Sequence, residues 1–496
     1  MRSRRFTTTG SARADIMLAP PWHPLEKLLL LAVALATLFF ACVTPPFQAP
    51  DENQHYMKAL LLSEGRVLTE RHGALIGATL PRAAVDLHAV DFPTEPDAAP
   101  RRFDTNMLAR AWAADAGRPG TRFTEFPNVA NYAPTLYAPG AAGLMIGDAL
   151  GLPRLGAFYA GRIVNAAVAI GLLLIALRLL PFGRFAMLAV ALLPTFAYQT
   201  GSLSPDAMIN SIGFLGLALA LRIGFMPAEK RAAAGLLITA PLLALAKGVY
   251  LPLLAAGLRV PSGWRDRRCW LILAAMVVGA AAFCGWTAYS GGSQQALYHI
   301  MSRKTGESVM TAPLGQQLAV ILNDPAGFVH ILVTSVTERL PVYLVQIVGR
   351  FGWNAILLPL AAYPLGAVML LSGVLCGSGG WFRVGQRLWW LAVAIGVALL
   401  IEIAMYLTGT PLAADFIQGT QGRYFLPMLP LLLLALSPER AVPGARGLFA
   451  ASALLLLVLA AWTATDSFWV HGFITDDGMP PHDDRVRALL LPSPRW

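Results

Sequence analysis

Charge is what this chain has least of. Only 13% of its 496 residues are Asp, Glu, Lys or Arg, against 56% hydrophobic residues and a mean hydropathy of +0.57. Soluble domains carry about 25% charged residues, so the scarcity excludes an ordinary soluble enzyme and leaves a polytopic membrane protein. Cysteine is scarce too: Cys42, Cys269, Cys284 and Cys376 lie in or beside apolar segments without metal-ligand spacing. That excludes a disulfide framework and makes them small core residues. No repeat of fixed period is present, which weighs against the repeat-built transporter folds. Nor does an A-x-A exit follow the first apolar run, since Ala41-Cys42-Val43-Thr44-Pro45-Pro46 ends in prolines. A cleaved signal peptide is the weaker reading, and residues 28–44 are taken as an uncleaved first span.

The formal net charge is +10, but its placement argues against nucleic acid. Basic residues fall in short loops: Arg178 with Arg184, then Arg222, Lys230 and Arg231, then Arg259, Arg265, Arg267 and Arg268, then Arg383 with Arg387, then Arg440 with Arg446. Short Lys/Arg loops stay cytoplasmic, where anionic membrane lipids are their partners. The expected architecture is all-α with about eleven transmembrane helices. A cytoplasmic N-terminus (1–27, with Arg2, Arg4, Arg5 and Arg13) precedes a transmembrane domain (28–467) and a periplasmic tail (468–496). After 28–44 the spans are 159–180, 185–202, 206–225, 232–246, 248–259, 270–289, 355–376, 388–408, 424–437 and 447–467. Two long periplasmic loops interrupt them. The first, 45–157, bears juxtamembrane helices at 53–64 and 138–150; the second, 290–354, has an interfacial amphipathic stretch at 313–348.

On this topology the conspicuous charges outside the basic loops gather at one face: Asp51, Glu52, Arg162, Asp206, Lys247 and Arg423. Lipid does not solvate a carboxylate, so Pro50-Asp51-Glu52-Asn53-Gln54-His55-Tyr56 at a membrane mouth needs a partner, a metal, a polar cavity or a chemical task. Helix-start capping would explain Asp51 alone, but not the pair with His55. Asp206 in Ser204-Pro205-Asp206 has the same capping alternative. Lys247 interrupts the apolar stretch 232–259, which reads either as snorkelling or as a hairpin that presents an ammonium to a phosphate. Arg423, in Gln421-Gly422-Arg423-Tyr424, is able to grip a phosphate through two parallel hydrogen bonds, or to act with Tyr424 as an interfacial anchor. Arg162 and Asn165 read first as helix-packing or cavity-lining residues and second as ligands, and the Asn131–Pro139 segment offers aromatic faces such as Tyr132 to sugar rings.

These motifs, together with Lys247 and Tyr250 and with Gly352-Trp353, appear in an order that resembles the DUF2142 family of bacterial membrane proteins, grouped with the GT-C membrane glycosyltransferases. The resemblance covers nearly the whole chain. It departs at Asn53-Gln54, between the acids and His55, and at Asn354-Ala355, where an acid would be expected. It implies a GT-C-like fold in the inner membrane and transfer of a sugar from a polyprenyl-phosphate carrier to a glycan, lipid or protein acceptor at the periplasmic face. In that reading Asp51 is the general base, Glu52 or His55 orients it, and Asp51 and Glu52 offer a place for a divalent cation (Mg2+ or Mn2+). Asp206 positions the acceptor or the metal, while Lys247 and Arg423 neutralise the departing phosphate. Tyr132, Arg162, Tyr250 and Tyr424 complete the substrate-binding set. Two alternatives stand beside it: a transporter or flippase of lipid-linked saccharides, and a polysaccharide polymerase or ligase using Arg339 and His330.

Overall fold

In the computed structural model the described residues are 22–475 except 74, 93–96, 115–117, 228, 260–265, 292–298 and 302–307. The basic residues Arg2, Arg4, Arg5, Arg13 and Arg265 and the tail beyond 475 lie outside them. Helices dominate, as the long apolar runs require. In chain order they are α1 Pro24–Val43, α2 Glu52–Ser63, α3 Arg82–Asp86, α4 Thr105–Ala113, α5 Ala138–Ala149, α6 Arg154–Leu179, α7 Arg184–Ala191, α8 Pro194–Thr200 and α9 Asp206–Phe225. They continue as α10 Lys230–Lys247, α11 Arg267–Tyr289, α12 Leu314–Asn323, α13 Pro325–Val348, α14 Ala362–Leu375, α15 Val384–Gly409, α16 Leu429–Leu436 and α17 Ala445–Thr465.

Local chemistry sets the helix ends. A capping box starts α1: His23 accepts from Leu25 N, and Glu26 accepts from His23 N at 2.9 Å. Along the same helix Leu28, Leu31, Leu35 and Leu38 form an exposed stripe while Leu29, Val33 and Phe40 are buried. That division suits a helix with one face on lipid and one on protein. Among the described residues, eight helices are long and apolar enough to cross a membrane.

The chain runs between two ends of the helical body. One end carries the basic residues: Arg184, at the start of α7, pairs with Glu26 at 3.2 Å, and Arg387 of α15 donates to the Ser437 carbonyl. The other end, the site end, gathers the last residue of α1, the first of α9 and the last of α10. Several connections are shorter than a full α-helical span. Pro194 breaks 185–202 into α7 and α8. At Lys247 the backbone turns extended (φ −165°, ψ 106°) and a 3-10 helix, Gly248–Gly257, leads back until Gly257 packs on Gly224 at the end of α9. At about 2 Å per residue that tighter helix reaches farther than an α-helix of the same number of residues. Length alone therefore counts fewer crossings than the eleven apolar stretches.

Helix α13 shows the opposite mismatch. It is long and apolar enough to cross, yet Phe328 at its start packs on Tyr406 near the end of α15. The hairpin after it brings Trp353 to Phe47, just beyond the end of α1. It enters from the site end and returns there, with α12 tied to α15 by Gln317, which donates to the Tyr406 carbonyl at 3.0 Å. Above the site end a small antiparallel sheet forms from Glu70–His72, Leu75–Pro81 and Thr121–Glu125. A further strand, Asp97–Arg101, pairs with Phe473–Thr475 after α17.

One buried ion pair joins these parts. Glu52 and Arg162 are both 0% exposed. Arg162 donates from Nε and Nη2 to Glu52 at 2.8 and 2.6 Å. Its remaining N–H groups go to the carbonyls of Ala41, Thr44 and Pro45. Glu52 also accepts from Phe47 N and Leu203 N. The end of α1, the start of α2, α6 and the loop before α9 thus meet on one carboxylate. Removing one partner of such a pair leaves an uncompensated buried charge, a loss of about 3–5 kcal/mol. Glu52→Ala should lower unfolding stability in detergent by that order, and adding Arg162→Met should recover part of it; denaturant titration of the single and double variants checks both.

Candidate active site

Asp51, which begins α2, sits in the left-handed region (φ 61°, ψ 6°), and its side chain makes no capping bond. A non-glycine residue there costs about 1–2 kcal/mol, so the capping explanation fails for this carboxylate. Instead the strained turn aims it across the site end at Arg423, whose Nη2 donates to Asp51 Oδ2 at 3.0 Å. Arg423 lies in the short 3-10 helix Gly422–Phe425. Its Nε stands 3.2 Å from Asp206 Oδ2, and its Nη1 reaches no hydrogen-bond acceptor among the described residues. Asp206 is held at the start of α9: its N–H donates to Ser204 Oγ, and Asn165 donates to the Ser202 and Ser204 carbonyls. Asp51 keeps 31% of its side chain exposed, Asp206 15% and Arg423 7%. Of the two acids, Asp51 is the more open to an incoming ligand.

The break at Lys247 places its ammonium 3.7 Å from the centre of the Tyr424 ring. No carboxylate among the described residues lies within ion-pairing distance of it, though its field couples first to Asp206 and less to Asp51. Tyr250, one turn on, donates to the Tyr424 carbonyl at 2.7 Å and fixes that residue. His55 is one helical turn from Asp51. It stacks on Tyr132 with ring centres 6.3 Å apart and lies 3.0 Å from the Tyr137 hydroxyl. Burial pushes its pKa from 6.5 down to about 4, with Asp51 and then Asp206 pulling the other way. His55 is therefore neutral near pH 7, and the charges of Asp51, Asp206, Arg423 and Lys247 all lie near enough to act on it.

The structure thus brings together Asp51, His55, Tyr132, Asp206, Lys247, Tyr250, Arg423 and Tyr424. It sets Glu52 and Arg162 apart, because every N–H of Arg162 and both oxygens of Glu52 are spent on the buried pair described above. Their expected catalytic and substrate-binding roles are corrected to a framing one. The same geometry removes the expected Asp51–Glu52 metal site: Glu52 turns its oxygens away from the cavity, and among the described residues no group of three His, Cys, Asp or Glu side chains is arranged to hold a metal ion. Arg339, on α13, lies over the Phe416 ring and His330 is exposed on the same helix, neither within this constellation.

Two residues near the site carried no sequence signal. Lys58, 2% exposed, donates to the Val67 and Ala130 carbonyls and so ties α2 to the segment bearing Tyr132; burial lowers its pKa to about 8. His88 accepts from Asn53 Nδ2 at 3.2 Å, and burial lowers its pKa to about 4. Both histidines are neutral in the folded chain, whereas an unfolded histidine protonates below about 6.5. The stability they contribute is present above pH 6.5 and lost as pH falls toward 4. Thermal unfolding in detergent should shift down over that window, and His88→Gln should flatten the profile.

Comparison with curated proteins and with solved structures gives no match. A family described as predicted membrane protein, DUF2142, matches residues 34–432. That stretch contains the end of α1, the whole cavity and the 3-10 helix carrying Arg423, and by it the chain belongs to the DUF2142 family.

Proposed function

We propose that this protein is a membrane glycosyltransferase of the GT-C type, transferring a sugar from a polyprenyl-phosphate donor to an envelope glycan, lipid or protein at the periplasmic face of the inner membrane. One observation carries the reading: at the end of the helical body opposite the basic loops, a partly exposed carboxylate, Asp51, is clustered with two cations, Arg423, which it pairs with, and Lys247, which has no carboxylate within ion-pairing distance among the described residues. The positive-inside rule puts the basic loops in the cytoplasm and this cavity outside. A lipid phosphate at the membrane surface would meet the ammonium and the guanidinium there, while its tail stayed in the bilayer.

Chemistry follows from the charge arrangement. In the resting site Arg423 pairs with Asp51 and occupies one of its oxygens. A donor phosphate competes for the same guanidinium, so donor binding frees Asp51 to accept a proton. The acceptor hydroxyl gives its proton to Asp51 and its oxygen bonds to the anomeric carbon. The bond from that carbon to the phosphate oxygen breaks, and the leaving polyprenyl phosphate is stabilised by Arg423 and Lys247. Asp206 holds Arg423 in place as Asp51 lets go. Neutral His55 and Tyr132 wall the cavity without adding charge, offering a flat ring surface to the sugar. Because Asp51, Asp206, Lys247 and Arg423 are clustered at one end of the helical body, a translocation path is less well supported.

The test is transfer of a labelled sugar from polyprenyl phosphate by membranes carrying the protein. Asp51→Asn keeps a side chain that tolerates left-handed backbone and removes the charge. It should cut the rate about 10²–10⁴-fold, the usual worth of a general base. Arg423→Lys, which loses the planar fork, should weaken binding of polyprenyl phosphate at least tenfold. Undiminished transfer by Asp51→Asn would remove the proposed base.

A further inference from the structure

Left-handed backbone at residues with a side chain is confined, among the described residues, to Phe47, Asp51, Trp353, Asn354 and Ala413. Four of these five belong to two segments in contact: Trp353 Nε1 donates to the Phe47 carbonyl at 2.8 Å. One segment carries Asp51. The other is the turn Gly352-Trp353-Asn354, with φ of 55°, 56° and 66° in succession. Three such residues in a row, two of them with a Cβ, are expensive. They persist because the surroundings hold them: Gly352 N donates to the Tyr198 hydroxyl, which itself donates to the Gln48 carbonyl, and Arg350 Nε donates to the Asn354 carbonyl. The result is that Asn354 faces Gln421, two residues before Arg423, with its Nδ2 at 3.5 Å from Gln421 Oε1.

That distance is at the long limit of a hydrogen bond, so both carboxamides retain donor and acceptor capacity. Trp353 and Asn354 are each partly exposed. Through Phe47, four residues before Asp51, and Gln421, two before Arg423, an indole and two carboxamides adjoin the charged cluster. The carboxamides match hydroxyls, the indole matches a sugar's apolar face, and none of them offers a counter-charge. Packing alone would be met more cheaply by glycine at 354, whose left-handed conformation is unstrained.

We infer that Gly352-Trp353-Asn354 with Gln421 is the acceptor side of the cavity, recognising a neutral, hydroxyl-bearing sugar beside Asp51. This rests on the transferase reading and adds to it which side takes the acceptor and that the acceptor end is uncharged. Asn354→Gly relieves the backbone and deletes only the carboxamide, so the unfolding temperature should hold or rise. With labelled donor in native membranes, the ratio of sugar passed to envelope acceptors over sugar released by water should fall at least tenfold. Binding of a fluorescent polyprenyl phosphate, which Arg423→Ala should abolish, should stay within twofold of wild type in Asn354→Gly. An unchanged transfer-to-hydrolysis ratio, a destabilised variant, or loss of polyprenyl-phosphate binding equal to that of Arg423→Ala would each overturn the acceptor assignment while the wild type still transferred. A wild type that neither binds that lipid nor transfers would instead overturn the transferase reading, and the acceptor assignment with it.

Discussion

The buried pairing of Glu52 with Arg162 is the constraint on which the rest of the cavity depends. An arginine with no exposure has to spend all its N–H groups, and here they go to Glu52 and to three carbonyls that end α1. Because Glu52 also holds Phe47 N and Leu203 N, the positions of Asp51 and of the loop leading to Asp206 follow from one carboxylate. A buried ion pair is weak evidence for net stability. Its value here is geometric, since it brings three parts of the chain far apart in sequence into one register.

Around that frame the charges facing the cavity are balanced rather than surplus. Arg423 lies between Asp51 and Asp206, and Lys247 rests on Tyr424, with His55 held neutral by burial. A balanced cluster at the end of a membrane domain needs no further counter-ion and still has cationic groups to offer an anionic ligand. The backbone around it is strained at Phe47, Asp51, Trp353 and Asn354. Strain of this kind persists only where neighbours over-determine it. Tyr198, which bridges Gln48 and Gly352, is one such neighbour.

Much of this was legible before any coordinates. The clustering of Asp51, Asp206, Lys247 and Arg423 at one end followed from counting apolar lengths and basic loops, and the interruption at Lys247 did mark a hairpin. Misread were Glu52 and Arg162, because a carboxylate that binds a ligand and one that binds an arginine elsewhere in the chain look the same in sequence. Lys58 and His88 were missed for a related reason: their partners are backbone carbonyls and an asparagine, which no spacing rule announces. The Asn354 position looked like a defect in a motif, and only its left-handed backbone and its proximity to Gln421 give it a place in the site.

What the amino-acid order decided by itself was the class of molecule and the gathering of its charges at the helix ends. Both depend on local sums, apolar length against bilayer thickness and Lys/Arg content of short loops, that need no knowledge of which helices touch. Tertiary structure alone decided which acid faces the cavity. Two neighbouring carboxylates on a helix start point about 100° apart, and the identity of the one that meets a buried arginine 110 residues away is set by packing.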